Sequence, residues 1–113
     1  MPGATFEPFD VVVVPFPFTD KAAVKRRPSL VVSTQTFNDR HDQLVLAMIT
    51  SAHQSDWPSD VHLKEWRAAG LTVSCRVRFK LFTLEKTLIV RRVGSLADGD
   101  REAIRRMLKN CLV

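Results

Sequence analysis

Asp10 to Thr19 reads Asp-Val-Val-Val-Val-Pro-Phe-Pro-Phe-Thr, a valine run that enters two prolines spaced by two. Rows of β-branched and aromatic residues favour extended backbone, so this stretch is expected to form the first strand. Alternate residues of a strand share a face. Val12, Val14, Phe16 and Phe18 fall on one side, with Val11, Val13, Pro15 and Pro17 on the other. The same alternation puts both missing proline N–H groups on one edge. From Pro15 onward that edge cannot be fully paired, which places this half of the strand at a sheet edge or a barrel seam.

The rest of the chain follows the same grammar. Met1–Pro8 is expected to be a partly mobile leader and Thr19–Lys25 a polar turn. Pro28–Ser33 reads as the second strand, opened by a residue that has no N–H to give a ladder. Thr36–Gln43 is a loop or a single helical turn. Leu44–Ile49, apolar almost throughout, is a central strand or one buried on both faces. Asp60–Lys64 is a short strand, and Glu65–Leu71 a turn closed by Gly70. Val73–Phe79 alternates, with Val73, Cys75, Val77 and Phe79 expected inward and Ser74, Arg76, Arg78 and Lys80 outward. Thr87–Val93 is a further strand, reached through Thr83–Lys86. From Asp98 to Leu112 the period changes: Ala103, Ile104, Met107, Leu108, Cys111 and Leu112 form one helical stripe. Asp98 and Asp100 sit at the positive end of that helix and Lys109 near its negative end. Glu102 and Arg106 have the spacing of an i,i+4 ion pair. About six short strands and one terminal helix predict a mainly β, mostly antiparallel barrel with a C-terminal α-helix. With 113 residues, the chain is expected to form a single domain over 1–113.

Charge narrows the function. Seventeen Lys and Arg against twelve Asp and Glu give a formal charge of +5, which favours a polyanion or an acidic protein as partner. There is no tyrosine, so a wide stacking platform for single strands is not expected. Cys75 and Cys111 both lie in apolar-patterned segments and read as buried free thiols in a reducing cytosol. No export signal and no apolar run of the ~20 residues needed to span a bilayer is visible. The cysteines and histidines lack zinc-like spacing, and there is no glycine-rich phosphate loop or nucleophile elbow. No metal and no cofactor is therefore expected.

What remains is a set of cations and hydroxyls at strand ends: Arg27, Thr50, Ser51, Arg76, Arg78 and Lys80. Pro28 biases Arg27 toward an extended backbone where a basic loop becomes sheet. By itself Lys25-Arg26-Arg27 reads as a basic rim, Thr50-Ser51 as a strand end, and Arg76 and Arg78 as a solvated sheet face. Together they suit one reaction. RNA can be cut by its own 2′-hydroxyl attacking the adjacent phosphorus, if the phosphate is positioned and its added charge stabilised. Arginine supplies charge but is a poor base. A histidine is the usual proton shuttle, and His53 stands three residues past Thr50.

Four stretches, in order, resemble the PemK/MazF (Kid-like) family of type II toxin–antitoxin toxins. They are Asp10–Asp20, Arg26–Ser33, Met48–Ser51, and Val77–Leu84 with the Leu-Ile-Val-Arg-Arg-Val-Gly-Ser-Leu that follows. The resemblance implies an SH3-like barrel with C-terminal helical structure. It implies a cytoplasmic, homodimeric endoribonuclease that cuts single-stranded mRNA at short sequences without a metal, leaving 2′,3′-cyclic phosphate and 5′-hydroxyl ends. An antitoxin whose acidic or hydrophobic tail fills the RNA groove is the implied partner, with operator DNA bound only through that antitoxin. By position, the family's catalytic arginine falls on Arg27, its strand-end threonine on Thr50, and a second arginine of some members on Arg78. Asp20, Lys25, Arg26, Ser51, His53, Arg76 and Lys80 are the accompanying RNA-binding candidates. Some members carry an aspartate two residues after the second arginine. Here that position is Lys80, which leaves the general base open between Asp20 and His53. Trp57 and Trp66 read as packing residues. The competing readings are a non-catalytic toxin on the same fold, acting by protein contact as a gyrase poison does, and a basic nucleic-acid-binding barrel.

Overall fold

The computed structural model describes residues 4–16 and 25–112, the side chain of Phe16 excepted. The elements run β1 (Asp10–Phe16), β2 (Lys25–Val31), α1 (Gln35–His41), β3 (Gln43–Ser51), β4 (Val61–His62), β5 (Cys75–Glu85), β6 (Arg91–Ser95) and α2 (Asp98–Cys111). The strands form one antiparallel sheet in the order β4-β5-β3-β2-β1-β6. Among the described residues β4 and β6 do not pair, so the curled sheet is open at that seam. The expected end of β1 at Thr19, residues 19–24 of the expected turn, Phe18, the Phe16 side chain and Asp20 lie outside the described residues.

Two apolar clusters hold the valine- and leucine-rich parts of the first three strands. Val11, Leu30, Ala47, Ile49 and Val77 pack with Phe9, Leu96 and Ile104 of α2. On the other face, Val12, Val14, Val31, Leu44 and Leu46 pack with Phe6 and Ile89. Strand β3 is thus covered on both faces over Leu44–Ile49, as expected, together with β1 and the Leu30–Val31 end of β2. Phe6, in the segment expected to be a partly mobile leader, is fully buried and belongs to the core. Its carbonyl accepts from Asn38 Nδ2 at 3.0 Å, so α1 pins the leader. That helix has two turns rather than at most one, because Thr34 caps it by accepting from the Phe37 N–H at 3.2 Å.

The prolines act as their chemistry requires. The β1–β6 ladder stops at Val13↔Arg91, whereas the β1–β2 ladder continues through Pro15↔Arg26 to Phe16↔Lys25. Pro15 therefore marks the seam. Strand β2 begins at Lys25, not Pro28, because its β1 partner keeps it extended there. Val31 offers its carbonyl to Phe9, on the β1 side, and Val32 donates to Val45 of β3. By alternation Pro28 turns its N–H-free nitrogen toward β3, and the β2–β3 ladder ends one residue later, at Ser29↔Met48.

Strand β5 continues to Glu85, and a 3-10 turn at Lys86–Leu88 follows, so β6 starts at Arg91 rather than Thr87. The β3–β5 register shifts between Ala47↔Leu81 and Met48↔Arg78, a bulge that bends the sheet. Gly70 has φ +86°, and a Cβ there would lie 2.2 Å from the Val93 carbonyl oxygen. Only glycine lets the 65–71 turn approach β6 this closely. Helix α2 lies where expected, but its apolar stripe outruns the core: Ile104 is buried, while Cys111 and Leu112 are exposed. One of the two thiols expected to be buried is therefore at the surface. Glu102 pairs with Arg105 at 2.6 Å, not with Arg106. Asp100 does more than face the helix dipole. It is buried and accepts from the backbone N–H groups of Lys64 and Glu65 at 3.0 and 2.9 Å.

Candidate functional site

Where Pro28 ends the β2–β3 ladder, the two strands part. Continuing the Ser29↔Met48 register by two residues sets Arg27 across from Thr50. A cleft of about 220 Å³ opens there, lined by Arg27, Pro28, Ile49, Thr50, Ser51, Gln54, Leu71, Thr72, Val73 and Cys75. Arg27 is exposed, and among the described residues it makes no hydrogen bond or ion pair. Thr50 and Ser51 are half-buried on the opposite wall. The result is a free guanidinium facing two hydroxyls across an apolar floor. Such a pocket accepts an anion with a hydroxyl beside it. Cys75 is not a thiolate nucleophile here, because burial pushes its thiol up.

The register also gathers other cations on this side of the sheet. Thr50 is directly opposite Arg76, and Met48 opposite Arg78, and opposite residues share a face. Arg27, Thr50, Arg76 and Arg78 therefore belong to the face whose far end holds the Val12–Leu46 cluster. Arg76 and Arg78 are not the solvated residues expected. The 52–60 loop folds over both. Arg76, 1% exposed, donates to Asp56 Oδ1 at 2.5 Å and to the carbonyl oxygens of Ala52 (3.1 Å) and Gln54. Its Nε lies 3.5 Å from Asp60 Oδ2, an ion pair without hydrogen-bond alignment. Arg78 grips the same Asp60 with two bonds, Nε to Oδ1 at 3.2 Å and Nη2 to Oδ2 at 3.0 Å. Nη2 also reaches the Ser55 carbonyl at 2.6 Å. The Arg76 hydrogen bond and charge hold the Asp56 carboxyl below its ordinary value. The bond to Asp60 raises Arg78 further above its own.

The expected site residues thus separate into groups. Arg27, Thr50 and Ser51 meet in the cleft. Arg78 does not line the cleft and is committed to Asp60. The outward placement of Arg76 is corrected: a buried guanidinium spent on a loop does not present itself to a ligand. His53 is exposed on the turn before Gln54 and does not line the cleft. Lys25 and Arg26 are exposed on β2, and Lys80 is exposed on β5. Sequence reasoning missed Gln54 and the Leu71–Val73 wall, and above all Asp56 and Asp60. Two carboxylates flanking Trp57-Pro58 were visible as a loop, but twenty residues separate Asp56 from Arg76 in sequence, and no periodicity links them.

Comparison with known proteins bears on the fold and the family. An endoribonuclease from a mycobacterial species, solved in complex with its cognate antitoxin, superposes with a TM-score of 0.73 at 18% identity, covering 94% of this chain and 91% of that one. MazF from Deinococcus radiodurans gives a TM-score of 0.73 at 21% identity, over 96% of both chains. The Mycobacterium tuberculosis toxin MazF-mt6 gives 0.71 at 17% identity, over 89% of this chain and 93% of that one. These likenesses establish the fold. Among curated protein sequences none is a significant match. The sequence model of the PemK-like, MazF-like toxins of type II toxin-antitoxin systems, however, matches residues 7–112. By that match, which takes in nearly every described residue, the chain belongs to the PemK-like, MazF-like toxin family.

Proposed function

We propose that this toxin is an endoribonuclease that cleaves single-stranded RNA at the Arg27–Thr50 cleft. The observation that carries the reading is the meeting of an uncommitted arginine with two hydroxyls in one small cleft. Arg27 binds the scissile phosphate and takes up the charge that develops on its oxygens. Thr50, with Ser51 beside it, holds the phosphate or the attacking 2′-hydroxyl in line. The 2′-oxygen forms a bond to phosphorus as the bond to the 5′-oxygen breaks. The products are a 2′,3′-cyclic phosphate and a 5′-hydroxyl, with one proton removed from the nucleophile and one delivered to the leaving group. Among the described residues lining the cleft there is no carboxylate or imidazole. The general base stays open between His53, on the adjoining turn, and Asp20. Arg78 serves as a second cation at the rim, its charge tempered by Asp60.

The chain is read as one toxin domain over 1–113, homodimeric and cytoplasmic. No helix among the described residues is long and apolar enough to cross a membrane. The mycobacterial neighbour was solved with a cognate antitoxin. An antitoxin with an acidic tail suits the +5 charge of this chain, and operator DNA is then reached through the antitoxin.

The test is direct. Full-length protein in excess chelator is incubated with a mixed-sequence single-stranded RNA pool, and the ends are mapped. Cleavage leaving cyclic phosphate and 5′-hydroxyl ends is expected. An uncut pool would sink the enzyme reading in favour of a toxin that acts by protein contact.

A further inference from the structure

Trp57, read from the sequence as a dimer or core packing residue, is 38% exposed within this chain. Its position is nevertheless tightly fixed. The Trp57 N–H donates to Asp60 Oδ2 at 3.2 Å, and its carbonyl accepts from the Asp60 N–H at 3.1 Å. Pro58 and Ser59 complete the turn, with Ser59 at φ +70°, the geometry of a type II turn. Asp60 is the same carboxylate that Arg78 holds with two bonds. The loop therefore presents an indole whose backbone cannot wander, so little ordering entropy is lost when something binds to it.

Two cations border the ring. The Arg78 guanidinium carbon lies 5.9 Å and Lys80 Nζ 5.5 Å from its centroid. These distances are near the outer limit of a cation–π contact, and Trp57 keeps 38% of its surface exposed beside them. The two cations differ in availability. Arg78 is spent on Asp60, whereas Lys80 is exposed and makes no hydrogen bond or ion pair among the described residues. A part-exposed indole beside an ammonium that has no ion pair among the described residues matches a nucleotide: base on ring, phosphate on amine. The loop also leads to the cleft. Gln54 lines it, and Arg76 holds the Ala52 and Gln54 carbonyls in place. Three residues extend no further than about 11 Å, so the Trp57 backbone lies within that distance of Gln54 at the cleft.

We infer that Trp57 and Lys80 form a nucleotide subsite, in which a base flanking the cut stacks on the indole and its phosphate pairs with the lysine. The subsite rests on the ribonuclease reading above. It assigns Lys80 a role that does not need an acid at that position: it anchors the strand and moves no proton.

The probe is a random-sequence single-stranded dodecamer with 2′-O-methyl riboses, which lacks the attacking hydroxyl. Full-length protein carrying Trp66→Phe has Trp57 as its sole indole, and its fluorescence is expected to be quenched on binding. In the parent background, Trp57→Phe should remove the binding-dependent change while keeping most of the affinity. Trp57→Ala should weaken binding roughly 5- to 150-fold, the range for loss of one stacked base. Lys80→Ala should lower the slope of log affinity against log salt by about 0.7, one phosphate contact on a single strand. In cleavage assays on ribose RNA, Trp57→Ala should raise KM and leave kcat within about twofold, as for lost uniform binding. RNA bound and cut with no fluorescence response and an unchanged KM in Trp57→Ala would overturn the subsite and leave the ribonuclease standing. Fluorescence that responds to a polyglutamate peptide but not to the RNA probe would reassign the surface to a protein partner. A protein that neither binds nor cuts RNA would remove the ribonuclease reading, and the subsite with it.

Discussion

Arg27 and Arg76 occupy the same face of one sheet, with only β3 between their strands, and they have opposite fates. Arg27 stands where a ladder has stopped. Pro28 gives β3 nothing to accept, the strands part, and the guanidinium faces a cleft with no protein partner among the described residues. Arg76 stands where a ladder continues, opposite Thr50, and the 52–60 loop closes over it. It is 1% exposed, bound to two carbonyls and two carboxylates. A charge already matched by its surroundings stabilises structure. A charge left unmatched at the end of a ladder is available to a ligand. Residue type cannot separate the two, but the hydrogen-bond inventory around each can.

The contrast can be broken most sharply at Arg27. Arg27→Ala is expected to lower RNA cleavage by roughly 10²-fold or more while moving the thermal midpoint little, since among the described residues the side chain makes no hydrogen bond or ion pair. Equal cleavage rates for variant and parent would refute its role. Arg76→Ala should behave in the reverse sense. Breaking a buried pair leaves Asp60 without one of its cations, and a loss of about 3 kcal/mol in unfolding free energy is expected, measured by urea titration. A fully stable Arg76→Ala with normal cleavage would show that the loop holds itself.

The smallest effect concerns Asp56, the solvent-facing partner of Arg76. Its carboxyl is held below the ordinary 3.8. A depressed folded value stabilises the fold above the unfolded value, and that contribution is lost as pH falls through the lowered one. Asp56→Asn should therefore be slightly less stable than the parent above about pH 4. Denaturation midpoints of the two should converge as the solution is made more acidic. A difference that persists unchanged into strong acid would assign it to something other than the ion pair.

Much of the fold was legible because its signals are local. The valine run and its prolines predicted β1 and the seam at Pro15, and the changed period after Ser95 predicted α2 almost to the residue. Burial of β3 on both faces followed from its unbroken apolar run. The errors came where a partner distant in sequence decides. Lys25–Arg27 joined β2 because β1 lies beside them. Arg76 and Arg78 alternated like surface residues because alternation reports which face a side chain takes, not whether a loop returns to cover it. Cys111 kept the helical period but lies beyond the end of the core.

For the candidate site, sequence alone determined its ingredients: an arginine fixed by a following proline, two hydroxyls at a strand end, and an excess of cations. These follow from backbone chemistry within a few residues. Only the tertiary structure decided which cations are free. Pairing register brought Arg27 level with Thr50, while the loop's two aspartates consumed Arg76 and Arg78 and left Trp57 exposed with Lys80 beside it. That outcome depends on contacts some twenty residues apart in sequence, where the relevant physics is desolvation and charge pairing rather than local propensity.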